Sequence, residues 1–181
     1  MTTFALAARS PRTRALGIVV AAGALALSAQ LAFPLPGTPV PFTLAPFVVV
    51  LAGLLLGPVD GAAAMVLYLA AGAAGLPVFA PVGAPGLARL LGPTGGYLLV
   101  YPIAAAVAGR IGAGHPALTT RVVAALAGML TIYLGGLAQL AIITGSLATA
   151  ALVGVLPFAA ADAVKAVVAA MVSGPRRRRT L

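Results

Sequence analysis

The chain has 181 residues, of which 62% are hydrophobic and only 7% charged; 11 Lys and Arg against 2 acidic residues give a net charge of +9. So few charged side chains cannot coat a soluble domain, and the composition reads as one integral membrane domain. The absence of Cys rules out disulfides and thiolate metal sites, and bases gathered at chain ends and between apolar segments argue against a nucleic-acid partner.

A helix that crosses hydrocarbon needs roughly 20 apolar residues. Gly- and Pro-rich breaks divide the chain into six such segments, near 15–33, 41–57, 61–76, 94–110, 121–144 and 156–173. The breaks are PLPGTPVP, GPVDG, LPVFAPVGAPG, GAGHPA and TGSLATAALVG. The expected fold class is an all-α polytopic membrane protein with six transmembrane helices. Residues 15–173 form the membrane domain, between a basic N-terminus (1–14) and a basic tail (174–181).

The first segment follows Arg9, Arg12 and Arg14, and its GIVVAAGALALSAQLA run has signal-peptide character. Cleavage would leave five spans and set the RRRR tail on the wrong side relative to Arg110 and Arg121, so an uncleaved first helix is expected. Gly17 with Ala21, and Ala22 with Ala26, recur at four-residue spacing, which permits close helix approach. Packing inside the bundle and a partner-binding face are both open readings of that spacing.

Both termini are expected on the cytoplasmic side of the cell membrane, because that side then collects Arg9, Arg12, Arg14, Arg110, Arg121 and the four arginines at 176–179. The loops at 34–42, 76–93 and 144–156 then face outward. Asp60 in GPVDG reads as a solvated turn residue. Tyr68 and Tyr133 lie inside spans and read as packing residues whose hydroxyls need partners. Phe42, Phe79, Tyr97 and Phe158 fall at outward ends of spans, where aromatic residues gather and could also enclose an apolar ligand.

Arg89 is the one base expected on the outward side, and an arginine there can clasp a carboxylate. It precedes LLGPTGGYL, in which Pro93 marks a helix start, Gly92, Gly95 and Gly96 allow close backbone approach, and Thr94 and Tyr97 add hydroxyls. The Lys and Ser/Thr of a P-loop are missing, so ATP energy would have to come from another subunit. His115 stands alone among histidines in a cytoplasmic loop, across the membrane from Ser146, which argues against a Ser–His enzyme or a metal site.

The last span carries Asp162 and Lys165, three residues apart and on one helix face. Both are expected in mid-span, where an ionisable group costs at least about 2.5 kcal/mol and faces a bundle interior or a wet cavity. The pair offers a carboxylate acceptor and an ammonium donor, suited to a compact ligand with both N–H and C=O groups. A mutually neutralising structural pair is the competing reading.

The ordered succession PVPFTL (39–44), LAGLLLGP (51–58), YLAAGAAGLPVF (68–79), LLGPTGGYL (90–98), YLGG (133–136) and LPFAAADAVKA (156–166) resembles the biotin transporter BioY family, over about residues 15–173. These are the substrate-binding S components of energy-coupling factor transporters. The resemblance implies a six-helix S-component fold that binds biotin near the outer face. It also implies a partnership with one membrane coupling protein and two ATPase subunits, although some members lack a dedicated energising module. Working alone, as a homo-oligomer or with shared ATPases stays open.

It further implies a biotin site built from Asp162, Lys165, Arg89, Thr94, Gly95, Gly96, Tyr97, Phe42, Thr43 and Phe79. Asp162 would accept from the ureido N–H groups, Lys165 would donate to the carbonyl or hold Asp162 charged, and Arg89 would lie near the tail carboxylate; the last two roles could be exchanged. Ala22 and Ala26 fall where S components meet the coupling protein. No catalytic residue, metal or cofactor is expected, biotin being the transported ligand. Ala45 stands where the family commonly has a glutamine after PFTL, and the family commonly has an aromatic residue near the position of Gln139. The alternatives are an S component for another small vitamin, a structural membrane subunit without a ligand, or an intramembrane hydrolase using Ser146 and His115.

Overall fold

A computed structural model describes residues 10–174, so Arg9 and the four arginines at 176–179 lie outside the described residues. The described chain is helical apart from one two-residue ribbon. In order it forms α1 (Pro11–Gln30), β1 (Ala32–Phe33), β2 (Phe42–Thr43), α2 (Ala45–Leu56), α3 (Pro58–Ala73), α4 (Ala88–Leu91), α5 (Gly95–Leu99), α6 (Tyr101–Gly112), α7 (Leu118–Thr144), α8 (Leu147–Gly154) and α9 (Ala159–Ser173).

The six sequence segments reappear as α1, α2, α3, α5 with α6, α7, and α9. Two helices, α1 and α7, are long and apolar enough to cross a bilayer alone, and α8 with α9 passes the same test as a pair bent by 57°. The stretch 144–154, expected as a loop, is largely the helix α8. Ser146 caps it by accepting from the Thr149 N–H at 3.2 Å, and its Ala, Leu and Val residues supply the apolar content that the flanking Thr, Gly and Ser obscured.

Small residues set the helix spacing, as expected where lipid supplies no hydrophobic drive for helices to associate. A Cβ on Gly53 of α2 would overlap the Ala105 carbonyl oxygen of α6, and one on Gly109 of α6 would sit 2.6 Å from the Gly57 carbonyl carbon. Gly57 itself has φ +90°, which lets the chain reverse directly into α3 with Pro58 at its first turn. Ala22 is buried in the core and Ala26 packs against it, so this small-residue stripe seats α1 on its own bundle. The outward face of α1 carries Leu16, Val19, Val20 and Leu27 instead.

The two ends of the bundle differ in chemistry. At one end Arg14 donates through Nε and Nη2 to both oxygens of Asp60, the closest contact being 2.7 Å. This corrects the solvated-turn reading of Asp60: it is buried and ties α3 to α1. Arg121, expected as a loop charge, is also buried there; it donates to the Ala170 carbonyl near the end of α9 and to His115 and Pro116 of the α6–α7 connection. Ser146 lies at the other end of α7, whose 27 residues span about 40 Å, so it is remote from His115 and a Ser–His pair is excluded.

Candidate functional site

The opposite end of the bundle holds an open-mouthed cavity. Two connections frame it. The 34–41 connection is closed at its base by the β1–β2 pairing of Ala32 with Thr43 and Phe33 with Phe42. At its tip Thr38 donates to the Val153 carbonyl of α8 at 2.6 Å.

The 76–87 connection has three ties. Gln30 Nε2, at the end of α1, faces the carbonyls of Pro77, Val78 and Phe79 at 3.1–3.3 Å. The Phe79 ring meets Tyr68 edge-on, with centroids 5.3 Å apart, and rests over Gly72. Arg89 donates through Nη2 to Ala80 at 2.7 Å and through Nη1 to the Val82 carbonyl. A Cβ on Gly72 would overlap the Phe79 ring. Gly72→Ala should therefore unseat that ring and speed proteolysis within 76–87 while helix content by circular dichroism stays unchanged.

Asp162 and Lys165 meet on the cavity wall. The Lys165 Nζ donates to Asp162 Oδ1 at 2.7 Å and to the Thr43 carbonyl at 2.6 Å, and stands 3.9 Å from the centroid of the Phe42 ring. Tyr133 of α7 donates its hydroxyl to Asp162 Oδ2 at 2.7 Å. Both charged residues are buried. Their position corrects the mid-span expectation: α9 begins at Ala159, so Asp162 lies in its first turn, where the helix N-terminus favours a carboxylate. An ionised carboxylate offers about four acceptor positions and an ammonium three donors. Two of each are taken here, and the remaining capacity is available to a ligand.

The structure sorts the expected site residues into two groups. Asp162, Lys165, Arg89, Thr94, Tyr97, Thr43 and Phe79 line the cavity. Phe42 stands behind Lys165 as its ring partner. Gly95 and Gly96 serve a different purpose: a Cβ on either would overlap the Leu90 or the Gly135 carbonyl oxygen, so they let α5 pack on α4 and α7. Tyr97 braces the wall, its hydroxyl donating to the Gly154 carbonyl at 2.7 Å.

Burial lowers the Arg89 guanidinium from its ordinary value, an effect only partly offset by Tyr68, although an arginine remains charged. Its Nε is buried with no partner among the described residues. Tyr68, Tyr101, Ile132 and Tyr133 also line the wall and were not assigned to the site from sequence, while Phe158, read as a ring that could enclose an apolar ligand, lines it too. Tyr68 and Tyr133 had been read as packing residues, and only the requirement for a hydroxyl partner hinted at more.

Residues 4–180 match the BioY family. The chain belongs to the BioY family. A probable biotin transporter BioY of Pyrococcus horikoshii is 45% identical over 135 residues, covering 75% of this chain and 79% of that one. The biotin transporter BioY of Thermotoga maritima is 37% identical over 139 residues, covering 77% and 82%. A crystal structure of the S-component for biotin from an ECF-type ABC transporter superposes with a TM-score of 0.80 across 92% of this chain and 93% of that chain, at 23% identity. The S-component fold expected for the BioY family is therefore present.

The two departures from the BioY pattern now have places. Ala45 is buried on the cavity wall at the start of α2, where a glutamine would add an amide to the lining. Gln139 lies outside the cavity; its Nε2 donates to the carbonyls of Leu90 and Gly92 at 3.1 and 2.7 Å and so ties α7 to α4.

Proposed function

We propose that this chain captures biotin in the cavity and carries it across the cell membrane as the S component of an energy-coupling factor transporter, with no covalent chemistry of its own. The observation that carries the reading is the buried Asp162–Lys165–Tyr133 cluster on the wall of an otherwise largely apolar cavity, in a chain of the BioY family. An ionised carboxylate only accepts hydrogen bonds, so Asp162 is matched to the two ureido N–H groups of biotin. Lys165 pairs with Asp162 and has one N–H left for the ureido carbonyl. Arg89 supplies positive charge for the valerate carboxylate, Phe79 and Tyr97 enclose the apolar part, and Thr43 and Thr94 complete the rim.

The distribution of bases supports a cytoplasmic location for the end bearing Arg14, Arg110 and Arg121, with the cavity toward the outside and both termini inside. A membrane coupling protein and two ATPase subunits would supply the energy. Ala22 and Ala26 do not enter this proposal as a partner surface, since both face their own bundle.

A ligand that binds only the folded state stabilises it by mass action, by about 2.7 kcal/mol at 100 times Kd. Biotin should therefore raise the melting temperature of the detergent-solubilised protein in proportion to the logarithm of its concentration. Thiamine and riboflavin should not. A shift produced by one of these and not by biotin would reassign the ligand, and no shift with any of them would favour a structural subunit.

A further inference from the structure

Tyr68 of α3 and Tyr101 of α6 both line the cavity and are only 2% and 4% exposed. Neither hydroxyl has a hydrogen-bond partner among the described residues, yet neither oxygen is sealed from contact, since Arg89 Nε is the one fully buried side-chain N or O atom left unpaired there. Each ring is thus held in the core while its hydroxyl opens into the cavity. Tyr68 stands beside Arg89, which faces no carboxylate, and Tyr101 stands beside Tyr68, so the three form a set of donors with uncommitted capacity.

The tyrosines and Asp162 stand on different helices, with Tyr101 of α6 between Tyr68 and the Asp162 cluster. The helix α3 packs on α1, α2 and α6, whereas α9 packs on α2 and α7. Asp162 already receives Tyr133 and Lys165, and Asp60 is at the far end of the bundle with Arg14. Among the described residues, no acidic side chain accepts a hydrogen bond from Tyr68 or Tyr101.

We propose that the hydroxyls of Tyr68 and Tyr101 are ligand-binding groups that donate, together with Arg89, to the carboxylate at the tail of the bound ligand. This rests on the biotin reading and adds two residues to the site. It also makes the cavity bipolar: an acceptor at the Asp162 end for ureido N–H groups, and a cluster of donors at the Arg89 end for an anion. Arg89 spends two of its N–H groups on Ala80 and Val82, so the tyrosines supply donors that the guanidinium has committed to the 76–87 connection.

The test crosses two protein changes with one ligand change. Tyr68→Phe, Tyr101→Phe and the double variant keep both rings and remove only the hydroxyls; an unaltered melting temperature without ligand verifies that packing is intact. Binding of biotin is compared with binding of biotinol, whose tail ends in an alcohol. A hydrogen bond to a charged group corresponds to about 10- to 100-fold in affinity. Each single variant should weaken biotin by about tenfold or more and the double variant further, while biotinol changes by less than about threefold.

Equal weakening of both ligands would show that the hydroxyls do not read the carboxylate, and unchanged biotin affinity in the double variant would show that they do not touch the ligand. Either result overturns the tyrosine assignment and leaves the biotin reading standing. If wild type binds neither ligand, the biotin reading itself fails and the assignment fails with it.

Discussion

Asp162→Asn and Lys165→Met should each lower biotin affinity by at least about 100-fold, yet destabilise the empty protein to different extents. Breaking a buried ion pair by removing one partner costs about 3–5 kcal/mol, because the remaining charge is left uncompensated. Loss of Lys165 leaves the Asp162 carboxylate with only the Tyr133 hydroxyl. Loss of the Asp162 charge leaves Lys165 with the Thr43 carbonyl and the Phe42 ring, both of which suit a cation. Lys165→Met should therefore lower the melting temperature more than Asp162→Asn does.

The double variant buries no unpaired charge. It should recover most of the stability while binding stays lost, since replacement of a buried ion pair by apolar groups is often neutral or stabilising. Recovery of stability without recovery of binding separates a site that holds a ligand from a pair that only joins helices. A double variant that binds biotin as wild type does would sink the assignment.

The second large effect lies away from the cavity. Gly53→Ala should abolish or severely reduce folded yield, because its Cβ would overlap the Ala105 carbonyl oxygen and sit 3.0 Å from its carbonyl carbon. The obstacle is backbone, so no rotamer change relieves it, and α2 and α6 must part. The expected cost is about 3 kcal/mol or more, the upper end of the range for overpacking. Gly109→Ala acts at the same crossing against Gly57 and Pro58. The two changes should be less than additive, since helices parted by the first already have room for the second. Thermal unfolding of the single and double variants checks this; full additivity would mean that the crossing yields locally.

Helix positions were legible in the sequence because apolar runs and Gly–Pro punctuation act over neighbouring residues. The apolar content of α1, α2, α3, α6, α7 and α9 is local information. So is the shared face of Asp162 and Lys165, three residues apart on one helix. Contacts that depend on which helices meet were not legible. Arg14 and Asp60 are 46 residues apart, and nothing near GPVDG announces that its aspartate is buried.

Tyr133 reaches Asp162 across 29 residues, and Tyr68 and Tyr101 become cavity groups only when α3 packs on α6. The Gly95–Gly96 pair was correctly read as permitting close approach, but the partner is backbone of the same chain. A glycine pattern specifies that something comes near without saying what. The mid-span placement of Asp162 failed for a similar reason: an apolar run does not show that the chain bends by 57° between α8 and α9, bringing the carboxylate to a helix N-terminus.

The cavity framed by Asp162, Lys165 and Arg89 is the proposed biotin site. Equilibrium binding of labelled biotin to the purified, detergent-solubilised protein tests it most directly. Saturable binding of one biotin per chain, displaced by unlabelled biotin and absent from folded Asp162→Asn protein, is the predicted result. No saturable binding at micromolar biotin, or binding that the Asp162→Asn change leaves intact, would contradict it.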